Sequence, residues 1–125
     1  MRSVAPMIHV PDVAATVAWY EALGFELIDA NDEGGEVEWA MLAWGEDAVM
    51  FNAGGRPANG DRREVDLYVT VENVDSLHQR LKDHVEVVQE PNDTFYGMRE
   101  FTVRDPNGFW VTFGESLSGE GQAVH

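Results

Sequence analysis

Seven side chains in this sequence are suited to meeting a small molecule: Met7, His9, Asp66, Tyr68, Glu100, Trp110 and Thr112. His9 carries an imidazole, a side chain that can serve as a general base. Glu100 is the second acid/base candidate, and Asp66 adds another carboxylate. Tyr68, Trp110 and Met7 supply aromatic and apolar surface, and an aromatic face attracts a cation. Together they suit a flat, apolar, positively charged ligand, because a buried carboxylate needs a counter-charge. Each residue also has a plainer account. Nothing fixes a base partner for His9, so a partly buried histidine hydrogen-bonded to a neighbour is the simpler reading. Trp110 can serve as ordinary sheet packing. Asp66 can pair with an arginine such as Arg99 or Arg104.

Other chemistries find no support. The chain has no cysteine, which excludes disulfides and thiolate catalysis and fits a reducing compartment. His9, His78, His84 and His125 form no HxxxH or HExxH pair. Gly34-Gly35 and Gly54-Gly55 lack the spacing of a phosphate loop. Ser3, Ser76, Ser116 and Ser118 have no nucleophile-elbow context. A formal net charge of -15 repels phosphate backbones and argues against nucleic-acid binding. The same field either draws in a cationic ligand or keeps the protein soluble. The N-terminus does not read as a signal peptide, and no stretch approaches the roughly 20 apolar residues of a membrane span. A cytoplasmic protein is expected.

The elements that hold these residues follow from periodicity. Residues 4–10 read as a strand. Asp12 caps a helix that runs to about Leu23, with Val13, Val17 and Tyr20 at helical spacing and Gly24 ending it. Residues 25–30, 36–43 and 47–52 follow as strands. After a Gly/Pro-rich linker the order begins again: a strand over 64–71, a helix capped by Asn73 or Asp75 and running to about Asp83, then strands over 85–90, 98–104 and 109–113. Residues 93–99 read as a loop bearing Phe95 and Tyr96, either at a cavity mouth or at a dimer interface. Val10-x-Asp12-Val13 repeats as Val71-x-Asn73-Val74 at a shift of 61 residues. The shift puts Pro6, Ile8 and Val10 on Leu67, Val69 and Val71, the helix-facing side. It puts Ala5, Met7 and His9 on Asp66, Tyr68 and Thr70, the opposite side. On the later strands Glu100 and Thr102 share one face, as do Trp110 and Thr112. The fold class is α+β: two βαβββ modules in tandem. One domain is expected over 1–114, with module one at about 3–54, a linker at 55–63, module two at about 64–114 and a flexible tail at 115–125.

These motifs resemble the vicinal-oxygen-chelate superfamily, the glyoxalase, bleomycin-resistance and dioxygenase proteins. Val10-Pro11-Asp12-Val13, Trp19-Tyr20 and Leu23-Gly24-Phe25 resemble its opening signature. Val71-Glu72-Asn73-Val74-Asp75 resembles the start of its second module, and Asp105-Pro106-Asn107-Gly108-Phe109 its closing turn. The resemblance implies curved mixed sheets around a cavity, and a homodimer. It implies a basic, substrate-contacting side chain at the position of His9, as in the glutathione-dependent relatives. It also implies a divalent metal held from the first and last strands of each module. Those positions carry Ala5, Met50 or Phe51, Asp66 and Thr112 here. Only Asp66 is a good ligand, whereas a catalytic metal needs about three. No metal and no other cofactor is therefore expected.

The expected function is a metal-independent binding protein resembling the bleomycin-resistance proteins. It would sequester a cationic or aromatic compound and so confer antibiotic resistance. Its partners would be that ligand and a second copy of the chain, with no nucleic acid and no membrane. The alternative is a lyase, isomerase or dioxygenase of the superfamily with an atypical site, using His9, Asp66 and Glu100.

Overall fold

A computed structural model describes residues 3–31, 35–57 and 65–117. The chain divides into two compact units, Met1–Asn59 and Gly60–His125. Each carries the same order of elements. The first contains β1 (Met7–Val10), α1 (Val13–Leu23), β2 (Glu26–Asn31), β3 (Trp39–Trp44) and β4 (Asp47–Ala53). The second contains β5 (Asp66–Thr70), α2 (Val74–Leu81), β6 (Glu86–Asp93), β7 (Met98–Arg104) and β8 (Trp110–Ser116). The sheets are ordered β1-β4-β3-β2 and β5-β8-β7-β6. In each, the first strand pairs in parallel with the last, and the other pairings are antiparallel. This is the tandem βαβββ plan.

Both helices start on side-chain caps. Asp12 Oδ1 accepts from the Ala15 amide at 3.0 Å, and Asn73 Oδ1 accepts from the Ser76 amide at 2.9 Å. Gly24, at φ 121°, closes α1 by donating to the Glu21 and Tyr20 carbonyls. A carboxylate from the last strand adds to the second cap: Glu115 accepts from the Val74 amide at 2.6 Å. Glu115 and Ser116 thus belong to β8 rather than to a tail, and residues 118–125 lie outside the described residues. So does most of the expected linker.

Each helix covers one face of its own sheet. In the first unit Val10, Val13, Tyr20, Leu23, Ala40, Leu42 and Phe51 are buried. Tyr20 packs on Phe25 and Phe51, with ring centroids 5.2 Å and 5.0 Å away. In the second, Val74, Leu77, Leu81, Phe101, Val103, Phe109, Val111 and Phe113 form the core. Period-2 alternation sends the intervening residues to the other face. The residues expected to meet a ligand lie on these two faces, Met7 and His9 on that of the first sheet and the others on that of the second.

Some boundaries differ from expectation. β1 begins at Met7 and β3 at Trp39, later than the apolar pattern implied. β6 does not stop before Pro91 but continues to Asp93. It is the edge strand of its sheet, and an edge tolerates a residue without an N–H. The register slips between Gln89 and Asn92, around that proline. The expected loop of residues 93–99 shrinks to the turn Thr94–Gly97, closed by the Thr94 and Met98 backbones at 2.8 Å.

Candidate functional site

Sheet register arranges the open face of the second sheet into rows. Asp66, Trp110, Arg104 and Glu86 form the first row across β5, β8, β7 and β6. Tyr68, Thr112, Thr102 and Gln89 form the second. Thr70, Gly114, Glu100 and Asn92 form the third. Four residues separate the first row from the third along each of β5 and β8, roughly 13 Å at the usual strand rise. Asp66 and Glu100 therefore stand at opposite ends of the face. The pair expected to act together on one reacting centre is not brought together.

Glu100 is the focus of the third row. It is only 9% exposed, and its Oε2 accepts two phenol protons, from Tyr68 at 2.7 Å and from Tyr96 at 2.8 Å. Tyr68 springs from the second row on β5 and reaches Glu100 across β8. The residue it crosses is Gly114, where any Cβ would overlap the Tyr68 hydroxyl. Tyr96 comes from the other side, out of the Thr94–Gly97 turn. Neither arginine nearby is committed to Glu100. Arg99 bridges Asp93 at 2.8 Å and Asp75 at 3.1 Å, and Arg104 meets Glu86 at 3.2 Å. Among the described residues no basic side chain pairs with the Glu100 carboxylate.

Both phenols are held in the protonated state. Desolvation, then the hydrogen bond and the charge of Glu100, push the Tyr68 hydroxyl well above the ordinary phenol range. For Tyr96 the hydrogen bond to Glu100 is the main cause of a rise. With their protons spent on Glu100, the two hydroxyl oxygens can only accept from a third partner. The end of the face around Glu100 is thus a cluster of acceptors. In the middle row the Thr102 and Thr112 hydroxyls are hydrogen-bonded to each other at 2.9 Å. At the far end Trp110 lies beside Asp66.

Met7 and His9 lie on the equivalent face of the first sheet, in the other unit. His9 Nδ1 is 3.0 Å from the Ala53 carbonyl oxygen. The carbonyl only accepts, so Nδ1 is the donor in this contact and Nε2 is the second ring nitrogen.

Tyr96 is the site residue that sequence reasoning left unassigned. The Thr94–Gly97 turn folds its hydroxyl onto Glu100 and leaves the neighbouring Phe95 99% exposed.

The register also decides which residue of β4 matches Thr112. Tyr68 pairs with Thr112, and Met7, its equivalent, pairs with Met50. Phe51 faces α1 and is fully buried. The positions that the resemblance assigns to a divalent ion are therefore Ala5 and Met50 in the first unit, and Asp66 and Thr112 in the second. Among the described residues no three His, Asp or Glu side chains converge in a way that could hold a metal. This donor set does not fit a hard divalent ion.

The chain matches the model of the Glyoxalase/Bleomycin resistance protein/Dioxygenase superfamily over residues 3–113, and it belongs to that superfamily. Solved structures share the fold. TioX from Micromonospora sp. ML1 is 26% identical with a TM-score of 0.76, covering 93% of this chain and 100% of its own. A protein of unknown function from Agrobacterium tumefaciens str. C58 is 26% identical with a TM-score of 0.74, covering 94% and 95%. A bleomycin-binding protein solved in complex with bleomycin is 17% identical with a TM-score of 0.70, covering 93% and 99%. Among curated proteins none matches. Among the described residues no helix is long and apolar enough to cross a membrane.

Proposed function

We propose that this protein is a metal-independent binding protein for a small cationic, partly aromatic compound. The second sheet's open face is its seat. The observation that carries this is the Glu100 carboxylate: nearly buried, hydrogen-bonded by two phenols on one oxygen, and without a basic partner among the described residues. Burying a carboxylate without a counter-charge is costly, and a ligand cation would offset that cost. The cation would rest on Glu100 and the outward lone pairs of Tyr68 and Tyr96. Thr102 and Thr112 would contact the middle of the ligand, and Trp110 with Asp66 would take a flat group at the far end.

Sequestration of an antibiotic of the bleomycin kind is the form of this function that the shared fold favours. A bleomycin-binding protein with this fold was solved with bleomycin bound. We place the protein in the cytoplasm as a homodimer. A lyase, isomerase or dioxygenase is the second reading, and His9 favours it, because Nδ1 is engaged by the Ala53 carbonyl and the other ring nitrogen is left to meet a substrate. The separation of Asp66 from Glu100 weighs against a shared acid/base centre. Calorimetric titration with bleomycin and with a panel of cationic aromatic compounds tests the proposal. Binding to the wild type that falls sharply in Glu100→Gln supports it, and equal binding to both refutes it.

A further inference from the structure

The open face of the first sheet carries a different set of donors. β1, β4 and β3 are neighbours, and their register places Met7 beside Met50 and Met50 beside Met41. Three of the chain's five methionines thus form one row across three strands. Their alternation partners Phe51, Ala40 and Leu42 are fully buried under α1, so the thioethers share the opposite face. Neighbouring strands lie about 4.8 Å apart, and a methionine side chain has three rotatable bonds, so adjacent sulfurs can converge on one ion.

His9 stands on the same face of β1, two residues beyond Met7. Its Nδ1 is tied to Ala53, which pairs with Val10 and so lies beyond His9 as seen from the methionine row. The bare Nε2 is the nitrogen left for a metal. A backbone carbonyl holding one ring nitrogen is the usual support for a histidine ligand. Asp29, opposite Met41 on β2, closes the row with an exposed carboxylate that favours a cation.

We propose that Met7, Met41, Met50 and His9 form a copper(I) site. Thioether sulfur is soft and selects copper(I), while magnesium, calcium and manganese prefer oxygen. No redox step is involved: the ion binds as copper(I) and leaves as copper(I). The site shares no residue with the cation seat on Glu100, and either can fail without the other.

Anaerobic titration of the whole chain with copper(I), in competition with the chromophoric chelator bicinchoninate, provides the test. The wild type should withdraw about one copper(I) per chain, a stoichiometry set by one shared ligand set. X-ray absorption of that complex should show sulfur ligands with one nitrogen. The triple substitution Met7→Leu, Met41→Leu and Met50→Leu nearly conserves volume and should abolish withdrawal. His9→Ala should weaken it and remove the nitrogen signal. Met98→Leu, in the other unit, should leave it unchanged. If the triple variant does not fold, Met50→Leu alone should still lower sulfur coordination. The proposal is overturned if bicinchoninate keeps the copper, if only nitrogen and oxygen ligands appear, or if the methionine variants bind as the wild type does. Those outcomes would leave the row as an adaptable apolar surface. Binding of cationic aromatics to Glu100→Gln remains a separate readout.

Discussion

Tyr68 reaches the Glu100 carboxylate at 2.7 Å by lying across Gly114, the one position on that path without a side chain. β5 and β7 are not neighbours, so a residue on one touches a residue on the other only by crossing β8. Gly114→Ala should force Tyr68 off Glu100. Overpacking of this kind costs about 1–3 kcal/mol, which a denaturant melt would read. Calorimetry should show weakened cation binding in the same variant. A Gly114→Ala protein with unchanged stability and binding would show that the crossing is unimportant.

Tyrosine ionisation gives an independent check. Tyr68 and Tyr96 have raised phenol pKa values, so both should be less ionised at pH 10 than an ordinary phenol, which is half ionised there. A raised folded-state pKa contributes stability that is complete below the unfolded value. That contribution is lost as pH climbs from about 10 towards the folded value. Ultraviolet titration of Glu100→Gln should return Tyr96 most of the way, since Glu100 is its main perturbation. Tyr68 should return only in part, since desolvation leads there. Identical titration curves for wild type and Glu100→Gln would contradict the geometry.

The caps and the two faces of β1, β5, β7 and β8 were legible because each depends on neighbours in sequence, and the 61-residue repeat because the same pattern recurs. Asp12 and Asn73 needed only their own first turns, and alternation alone separated Trp110 from Phe109 and Val111. Both faces of residues 36–44 carry apolar side chains, so only register put Met41 in a row with Met50 and Met7. What sequence could not give was contact across strands. Nothing local to Tyr96 says that its turn folds back onto Glu100. Nothing local to Gly114 says that a tyrosine from β5 passes over it. Pro91 misled because its cost depends on whether the strand is an edge.

The length of the face predicts how ligands should divide. Trp110 stands roughly 13 Å along the strands from the Glu100 row. Short amines should bind without quenching Trp110 fluorescence. Longer cationic aromatics that span the face should quench it, and Trp110→Phe should remove that quenching. Quenching by short amines equal to that by long ones would contradict the two-ended layout.

Asp66 and Glu100 should contribute unequally. Asp66 is exposed and shares its row with Arg104, while Glu100 is buried and its row and hydrogen-bond partners among the described residues are uncharged. Asp66→Asn should weaken binding by under about 1 kcal/mol, with a loss that shrinks further in salt. Equal losses for Asp66→Asn and Glu100→Gln would place the cation elsewhere.

Each four-stranded sheet has two edges, and the β2 edge exposes Leu27 and Ile28. Unpaired edges and exposed apolar side chains favour association with a second copy. Sedimentation at tens of micromolar, an order-of-magnitude concentration, should show a dimer. A 13.9 kDa monomer there would count against the proposed assembly.

The central claim is that a ligand cation rests on Glu100. Its most direct measurement is the affinity of bleomycin and of a cationic aromatic series for wild type and Glu100→Gln, with folding of both confirmed by thermal melts. Losing a hydrogen bond to a charged group should weaken binding about 10- to 100-fold. Neutral isosteres of the same ligands should bind both proteins equally and weakly. Cationic ligands that bind Glu100→Gln as tightly as the wild type would contradict the account.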